Sequence, residues 1–424
     1  MNQGQVKQTS SAVDLFERLK DAKKILITNK QLIDKKDKHT YPIKCAPFKI
    51  PRDWIWCYLS DISIIQEGPG IRKHQYQEEG VQFLTVTNIL EGSVDLEKSR
   101  KFISKEEYES KYSHFTIKQD DIVTACSGGS WGKSAIFEED ELVILNTSTL
   151  RLRFFNDLAS NSYLYYLTKT QFFKTSLSLH STGQQPNFGY YHYSRIPVPL
   201  PSYQKQKQIV AILDEAFEKI ERAKELAAKN LQNARELFES YLGKIFSQHC
   251  EGWTQTTVGE QFTLQRGIDI TKSQQEPGTV PVVSSGGIKS YHDTALVSAP
   301  GVVIGRKGTL GKVYFLEVDF WPHDTTLWVK DFGDNHPKLV FYFLMSLDVI
   351  KLDSGAANPA LNRKNVHSIK TSWPEPKIQK TIIKQLDLLS DQSKQLKTIY
   401  LQKITDLDEL KQSLLQKAFA GELT

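Results

Sequence analysis

The stretch Ser127–Ser134 (SGGSWGKS) comes nearer than any other in the sequence to a ligand-binding signature. A phosphate-binding loop needs Gly-x-x-x-x-Gly-Lys-Ser/Thr, because the first glycine lets backbone N–H groups wrap the phosphates. Gly132-Lys133-Ser134 supplies the end of that pattern, but Ser127 stands where the first glycine belongs. A second stretch, Arg306–Lys312, repeats the cadence with Arg306 at that position and Val313 after the lysine. Nucleotide binding is therefore not expected. Two readings stand for these stretches: hairpins that need glycine for positive φ, or loops that bring backbone, lysine and arginine against DNA phosphates or base edges. Other chemistries lack their residues. No His-Glu-x-x-His, no His/Cys cluster and no spaced carboxylate pair is present, and His323-Asp324 reads as an isolated surface or core histidine. An adenine methyltransferase would carry Asn/Asp-Pro-Pro-Tyr/Phe; the nearest string is Asn358-Pro359-Ala360-Leu361, and no Phe-x-Gly-x-Gly cofactor motif occurs. Glu375-Pro376-Lys377 has the wrong setting for a nuclease centre. Cys45, Cys57, Cys126 and Cys250 are scattered without a Cys-x-x-Cys pair, so neither a disulfide framework nor a zinc cage is expected. The chain does not read as an enzyme in its own right.

Composition sets the frame for those residues. A length of 424 residues gives a prior of two or three domains, with 39% apolar and 24% charged residues in the range of globular proteins. No apolar run approaches the ~18 residues of a membrane span, and Met1–Ser11 is too polar for a signal peptide. The expected location is the cytoplasm, with no membrane partner. The net charge of +5 is uneven: residues 1–50 hold eleven Lys/Arg against five Asp/Glu, residues 51–201 fifteen against eighteen, and residues 251–375 twelve against thirteen. A basic stripe of the kind non-specific DNA binders carry is not visible in the two large regions.

The longest elements of the chain are marked by their period. From Ile209 the apolar steps alternate four and three through Leu213, Ala216, Ile220, Ala223, Ala227, Asn230, Ala234, Leu237 and Tyr241. No Gly or Pro falls between Gln204 and Leu242, so a helix of about 40 residues is expected. A second run passes through Ile382, Leu386, Leu389, Ser393, Leu396, Tyr400, Lys403, Leu407, Leu410 and Leu414, opened by Pro374 and Pro376 and closed by Gly421. Helices this long need a long partner, and each is the obvious partner of the other. The polar seam residues Asn230, Ser393 and Lys403 either fix register or are tolerated there. The segments 51–201 and 251–375 read as mostly strand, for example at Phe83–Val86, Ile122–Ala125, Leu150–Phe154, Val302–Gly305 and Thr325–Val329, with helices near Ser162–Phe173 and Pro337–Asp348.

The halves repeat in order. Trp54 leads to Leu59-Ser60-Asp61 as Trp253 leads to Val258-Gly259-Glu260. Ser127–Lys133 aligns with Arg306–Lys312, and Ser148-Thr149-Leu150-Arg151 with Thr325-Thr326-Leu327-Trp328. Each half ends in a Pro pair that opens a helix containing Leu-Asp, at Leu213-Asp214 and Leu386-Asp387.

With this layout the sequence resembles the specificity subunit of type I restriction-modification systems. The resemblance rests on Asp14–Ile33, Ala46–Asp61, Arg195–Asp214, Ala234–Trp253 and Glu409–Thr424, in that order across the chain. It departs where the family often has Glu-Gln after the Pro-rich junction; here stand Lys205-Gln206 and Ile378-Gln379. The resemblance implies an α+β fold: two mostly-β target recognition domains separated by two long helices forming an antiparallel coiled coil, an internal duplication with pseudo-two-fold symmetry. The segments would be a basic helical leader at 1–50, the first recognition domain at 51–201, the central helix at 202–250, the second recognition domain at 251–375 and the C-terminal helix at 376–424. It further implies a non-catalytic subunit in which each domain reads one half of a split DNA site and the helices set the gap. Partners would be double-stranded DNA, two adenine methyltransferase subunits and restriction/translocase subunits. S-adenosylmethionine, ATP and Mg²⁺ would belong to those partners, with no cofactor or metal in this chain. The alternative is a protein-interaction scaffold that does not touch DNA. Candidate DNA contacts are Ser127, Ser130, Lys133, Gln184, Gln185 and Asn187 in the first domain. In the second they are Arg306, Lys307, Thr309, Lys312, Asn358, Asn362 and Arg363. Arginine suits guanine and Gln/Asn suit adenine by paired hydrogen bonds.

Overall fold

A computed structural model describes residues 11–32, 43, 46–155, 159–178, 187–247, 252–349, 351–352 and 360–423. The chain divides into two compact units, Met1–Ala223 with Thr405–Thr424, and Lys224–Ile404.

The first unit opens with a helix, Ala12–Thr28, started by a reciprocal cap in which Asp14 N–H donates to Ser11 Oγ (3.1 Å) and Ser11 N–H to Asp14 Oδ2 (3.2 Å). Its buried face, Ala12, Leu15 and Leu19, follows helical spacing, and both leucines join the core of the unit. Strands β1 (Ile55–Tyr58), β2 (Ser63–Glu67), β3 (Val81–Phe83), β4 (Phe102–Ile103), β5 (Ile122–Ala125), β6 (Ser134–Ile136), β7 (Val143–Ile144), β8 (Thr149–Phe154) and β9 (Pro197–Leu200) form three small sheets. Their orders are β1-β9, β2-β8-β5-β6 and β4-β3-β7. The middle strand β5 is buried at every residue, whereas β8 buries Leu150, Leu152 and Phe154 and turns Arg151 and Arg153 to the other face. There the two guanidiniums reach the fully buried Asp121 at 3.4 and 2.7 Å.

The second unit holds β10 (Trp253–Thr257), β11 (Thr263–Arg266), β12 (Val280–Ser284), β13 (Gly287–His292), β14 (Gly301–Gly305), β15 (Val313–Leu316), β16 (Trp321–Pro322), β17 (Thr326–Asp331) and β18 (Lys370–Pro374). The sheets run β10-β18, β11-β17-β14-β15 and β13-β12-β16, the first unit's topology strand for strand. The parallel pair inside each three-stranded sheet, β3-β7 and β12-β16, recurs as well. The duplication expected from sequence is thus present in the hydrogen-bond ladders. It conserves geometry, not chemistry. Asp121 corresponds in register to Gly301, whose missing Cβ would lie 2.2 Å from the Phe320 ring. An ion cluster in one unit is replaced by a packed ring in the other, an exchange that buried ion pairs commonly tolerate.

The sequence reading differs from the structure at three small elements. The strand expected at Phe83–Val86 lies at Val81–Phe83, and the helix expected at Pro337–Asp348 spans Pro337–Met345. The single helix expected at Ser162–Phe173 is two, Asn161–Lys169 and Gln171–Ser178, broken at Thr170. Thr170 is extended, and its hydroxyl donates to Leu167 O (2.8 Å) and accepts from Phe173 N–H (3.1 Å). A threonine that caps both ends of a break competes with helix continuation.

The long helices span Tyr203–Ser247 and Pro376–Ala420, 45 residues each, or roughly 68 Å at ~1.5 Å per residue. Within each unit they pair antiparallel. In the first unit Ile209, Leu213, Phe217 and Ile220 share a core with Leu415, Ala418 and Phe419, and Lys411 meets Glu221 at 2.8 Å. In the second unit Leu242 and Phe246 share a core with Ile383 and Leu386, and Ser393 Oγ donates to Ala234 O at 2.8 Å. Each helix is also fastened to the strand-rich part of its own unit by duplicated residues. Gln206 accepts from Ser160 N–H (3.0 Å) and Gln379 from His336 N–H (2.9 Å), both at the start of a domain helix. Asp214 accepts from Tyr166, and Asp387 from Tyr342 (2.6 Å) and Lys338 (2.8 Å). The repeated Leu-Asp therefore combines a seam leucine with a staple to the domain.

The seam itself departs from the heptad reading. Ile209, Leu213, Ile220 and Leu386 are buried, and Leu389, Leu407 and Leu414 partly so. Asn230, Leu237, Leu396, Lys403 and Leu410 are exposed, whereas Leu231, Phe238, Ile404 and Lys411, next to four of them, are half-buried. The facing residues step by eleven, as in Ile209, Ile220, Leu231 and Leu242, or Ile382, Ser393, Ile404 and Leu415. The seven-residue series Leu213, Ile220, Ala227, Ala234 and Tyr241 stays buried or half-buried throughout, whereas the series from Ile209 is exposed at Asn230 and Leu237; an α-helix drifts about 20° per heptad, and a step of eleven residues corrects the drift.

Candidate nucleic-acid interface

Both Gly-rich stretches are hairpin turns, one joining β5 to β6 and the other β14 to β15. Gly132 and Gly311 both have φ of 77°, a conformation other residues adopt at a cost. Each donates its N–H across the turn at 2.9 Å, to Ala125 O and Gly305 O. The second hairpin is one residue shorter. Cys126 N–H donates to Ser148 O and Arg306 N–H to Thr325 O, while Phe188 N–H reaches Cys126 O and Leu361 N–H reaches Arg306 O. The residue equivalent to Arg306 is therefore Cys126, not Ser127 as the sequence alignment placed it.

This register puts Arg306 at the hairpin's foot, on the wall of an open groove of about 710 Å³ in the second unit. Arg266, Asp324, Asn362 and Arg363 line the same groove. Arg266 ends β11 and pairs with Asp324 at 2.9 Å. His323, buried beside it, touches Asp324 Oδ1 at 3.0 Å, Asp269 Oδ1 at 3.2 Å and the Lys289 ammonium at 3.2 Å. Asp269, His323 and Asp324 bring their ligand atoms within 4.8 Å of one another. That grouping could hold a cation, but Arg266 and Lys289 already place positive charge against it. Arg306 makes no side-chain hydrogen bond or ion pair among the described residues, and its Nη1 is buried. Burial first, then the neighbouring Arg266, lowers its pKa, so the groove favours a ligand that offers acceptors.

The equivalent place in the first unit has different chemistry. Gly68 and Gly267 mark the same position: their N–H groups donate to Thr149 O (2.9 Å) and Thr326 O (3.1 Å). A Cβ on either would collide with backbone, at Asn146 O or His323 O. Glu67 then corresponds to Arg266, and a carboxylate faces a smaller cavity of about 230 Å³ shared with Asn187 and His192. Glu67 Oε1 accepts from Tyr190 N–H at 2.7 Å. Cys126, in the place of Arg306, is a buried thiol whose pKa is pushed up by burial and then by Glu67. Cys57 is likewise a buried free thiol; Cys45 and Cys250 lie outside the described residues.

The sequence-derived contacts scatter accordingly. Arg306, Asn362 and Arg363 converge on the groove, and Asn187 lines the smaller cavity. Lys307, Thr309 and Lys312 are exposed at the hairpin tip, with Lys312 over the Tyr314 ring at 5.2 Å. Ser127, Ser130 and Lys133 are half-buried around the first hairpin. Gln184, Gln185 and Asn358 lie outside the described residues. Sequence reasoning missed Arg266 and Glu67, and it read Asp324 only as half of an isolated His-Asp pair. The repeated Gln66-Glu67-Gly68 and Gln265-Arg266-Gly267 was the available signal: one variable residue between two constant ones at a strand end.

The family model for the type I restriction modification DNA specificity domain matches residues 51–230 and 250–405. The chain is 29% identical to the type I restriction enzyme MjaVIII specificity subunit of Methanocaldococcus jannaschii over 191 residues, 42% of this chain and 44% of that one. It is 24% identical to the EcoBI specificity subunit of Escherichia coli over 52% of this chain and 47% of that one. These two matches span less than half of either relative, whereas a 22% match to the StySPI specificity subunit of Salmonella potsdam covers 89% of this chain and 90% of that one. Two solved structures share the fold. One, from work on complex assembly and conformational transition of the type I R-M system, has a TM-score of 0.75 at 17% identity over 89% of this chain and all of that one. The other, the HsdS subunit from Thermoanaerobacter tengcongensis, has a TM-score of 0.60 at 18% identity over 89% of this chain and 99% of that one.

Proposed function

The chain belongs to the type I restriction modification DNA specificity family, and from that premise we propose that it is the non-catalytic subunit that reads a split DNA site for an adenine methyltransferase and restriction complex. One observation carries the reading. Two domains of identical topology hold unlike side chains at the same place, Glu67 and Cys126 in one, Arg266 and Arg306 in the other. Two copies of one frame with different donors and acceptors are what reading two different half-sequences requires. Each recognition domain reads one half, over roughly the expected spans 51–201 and 251–375. The long helices hold the halves apart and carry two methyltransferase subunits. Support for docking on the helices comes from their exposed apolar side chains, Leu226 (62%), Leu237 (58%), Leu388 (62%) and Ile399 (57%). S-adenosylmethionine, ATP and Mg²⁺ act in the partner subunits. Among the described residues no helix is long and apolar enough to cross a membrane.

The test is to express the chain with its methyltransferase subunits and map methylated adenines across the host genome. The expected result is one motif of two specific halves with an unspecific gap. Replacing residues 51–201 by a homologous domain should rewrite one half and leave the other. Both halves changing, or methylation by this chain without the methyltransferase, overturns the reading.

A further inference from the structure

From the groove of the second unit we infer that Arg306 is the guanine-reading side chain of the second recognition domain; this rests on the DNA-reading function proposed above. Guanine is the base that offers two acceptors, N7 and O6, side by side in the major groove, and a guanidinium fork matches them with two parallel hydrogen bonds. A reading arginine must have donors to spare. No hydrogen bond or ion pair engages the Arg306 side chain among the described residues; its Nη1 is buried, so the edge left for a base is the one that carries Nε and Nη2. Arg266, by contrast, is bound to Asp324 at 2.9 Å. That pair lines the same groove as Arg306.

The competing source of acceptor oxygens is a backbone phosphate. Charge distinguishes the two. Asp269 and Asp324 offset two of the four positive charges of Arg266, Arg306, Arg363 and Lys289. This weakens the pull on a full negative charge and leaves the directional donors in place for a neutral base edge. The comparison with the first domain agrees. A phosphate contact would serve both halves of a site alike, because both run along the same kind of backbone. Yet the first domain has Cys126 at this place and a carboxylate, Glu67, beside it. The position is varied between otherwise matching frames, as a sequence-reading position would be.

The experiment uses the whole complex and methylation mapping. The wild-type complex should give a split motif; a domain exchange identifies the half read by the second domain, and that half should contain a G·C pair. Failure to give a split motif would count against the function, not against Arg306. Arg306→Ala and Arg306→Lys should then both raise methylation at sites with another base at that one pair, roughly ten- to hundredfold relative to the cognate site, with the other half unchanged. Lysine keeps the charge and loses the fork, so it separates the two sources. If Arg306→Ala lowers methylation at every site with the motif unaltered and Arg306→Lys restores it, the residue is a phosphate contact and the inference falls. It falls as well if the second domain's half contains no G·C pair, or if both variants leave methylation unchanged. Arg306→Gln serves as a further variant should alanine prevent assembly, and it too should relax the one position.

Discussion

His367 closes a gap in a β-ladder. The pairing of β11 with β17 slips between Thr263 and Leu264, and a bulge of this kind leaves a backbone group without its strand partner. Leu264 N–H donates instead to His367 Nε2 at 2.9 Å. A ring nitrogen can accept only when it carries no proton, and burial, with Arg363 nearby, lowers the His367 pKa below its ordinary 6.5. The unfolded chain therefore binds the proton more readily than the folded one. The contribution of this bond is fully present above about pH 6.5 and is lost as pH falls through the folded value. Urea midpoints measured from pH 7.5 to pH 5 should fall for the wild type, and His367→Gln, which has no titrating group, should show a shallower fall. Parallel curves would show that His367 does not carry the effect. Arg306 belongs to the same scale: both residues were visible as letters, but their roles depend on a bulge and on a hairpin one residue shorter than its twin. Neither feature leaves a mark in composition or period.

At the scale of elements, the sequence was legible wherever a repeat was long. The two helices, the order of the strand-rich segments and the duplication all follow from patterns that recur over tens of residues. What misled was extrapolation. Heptads fitted from Ile209 and from Ile382 were carried to Leu237 and Leu410, where the drift of the α-helix turns such positions outward. The consequence can be measured. Leu213 and Leu386 are fully buried, whereas Leu237 and Leu410 are 58% and 46% exposed. Leu213→Ala or Leu386→Ala should cost about 2–5 kcal/mol of stability, and Leu237→Ala or Leu410→Ala about 0.5 kcal/mol or less. Denaturant unfolding of the whole chain reads the difference; equal losses at all four would restore the heptad seam. The recognition domains were less legible for a related reason. Their strands are short, two to six residues, so period-two alternation has little room to declare itself. Only glycines at positive φ and the Gln-x-Gly repeat kept a recognisable spacing.

For the whole molecule, the proposed function makes helix length a quantity that DNA can report. If the long helices set the distance between the recognition domains, an insertion must satisfy two periods at once. A multiple of eleven residues suits the helix, since Ile209, Ile220, Leu231 and Leu242 at that step are all buried or half-buried. DNA requires a whole turn, about 34–36 Å, so that the second domain meets the same face of the duplex. One eleven-residue insertion in each helix adds about 16 Å at ~1.5 Å per residue. It keeps the seam but moves the domain half a turn around the DNA. Two such insertions add about 33 Å and satisfy both periods. Copies of Leu231–Tyr241 and Leu386–Leu396 are suitable inserts, since the Ser393–Ala234 hydrogen bond shows that these stretches face each other. The doubly extended chain should assemble with its methyltransferase subunits and modify a motif with the same two halves and a gap longer by about ten base pairs. The singly extended chain should assemble equally well and modify its motif far less, because the halves then lie on opposite faces. Assembly and methylation mapping separate the two requirements. An extended chain that assembles and modifies the original, unlengthened motif would refute the spacer role of the helices.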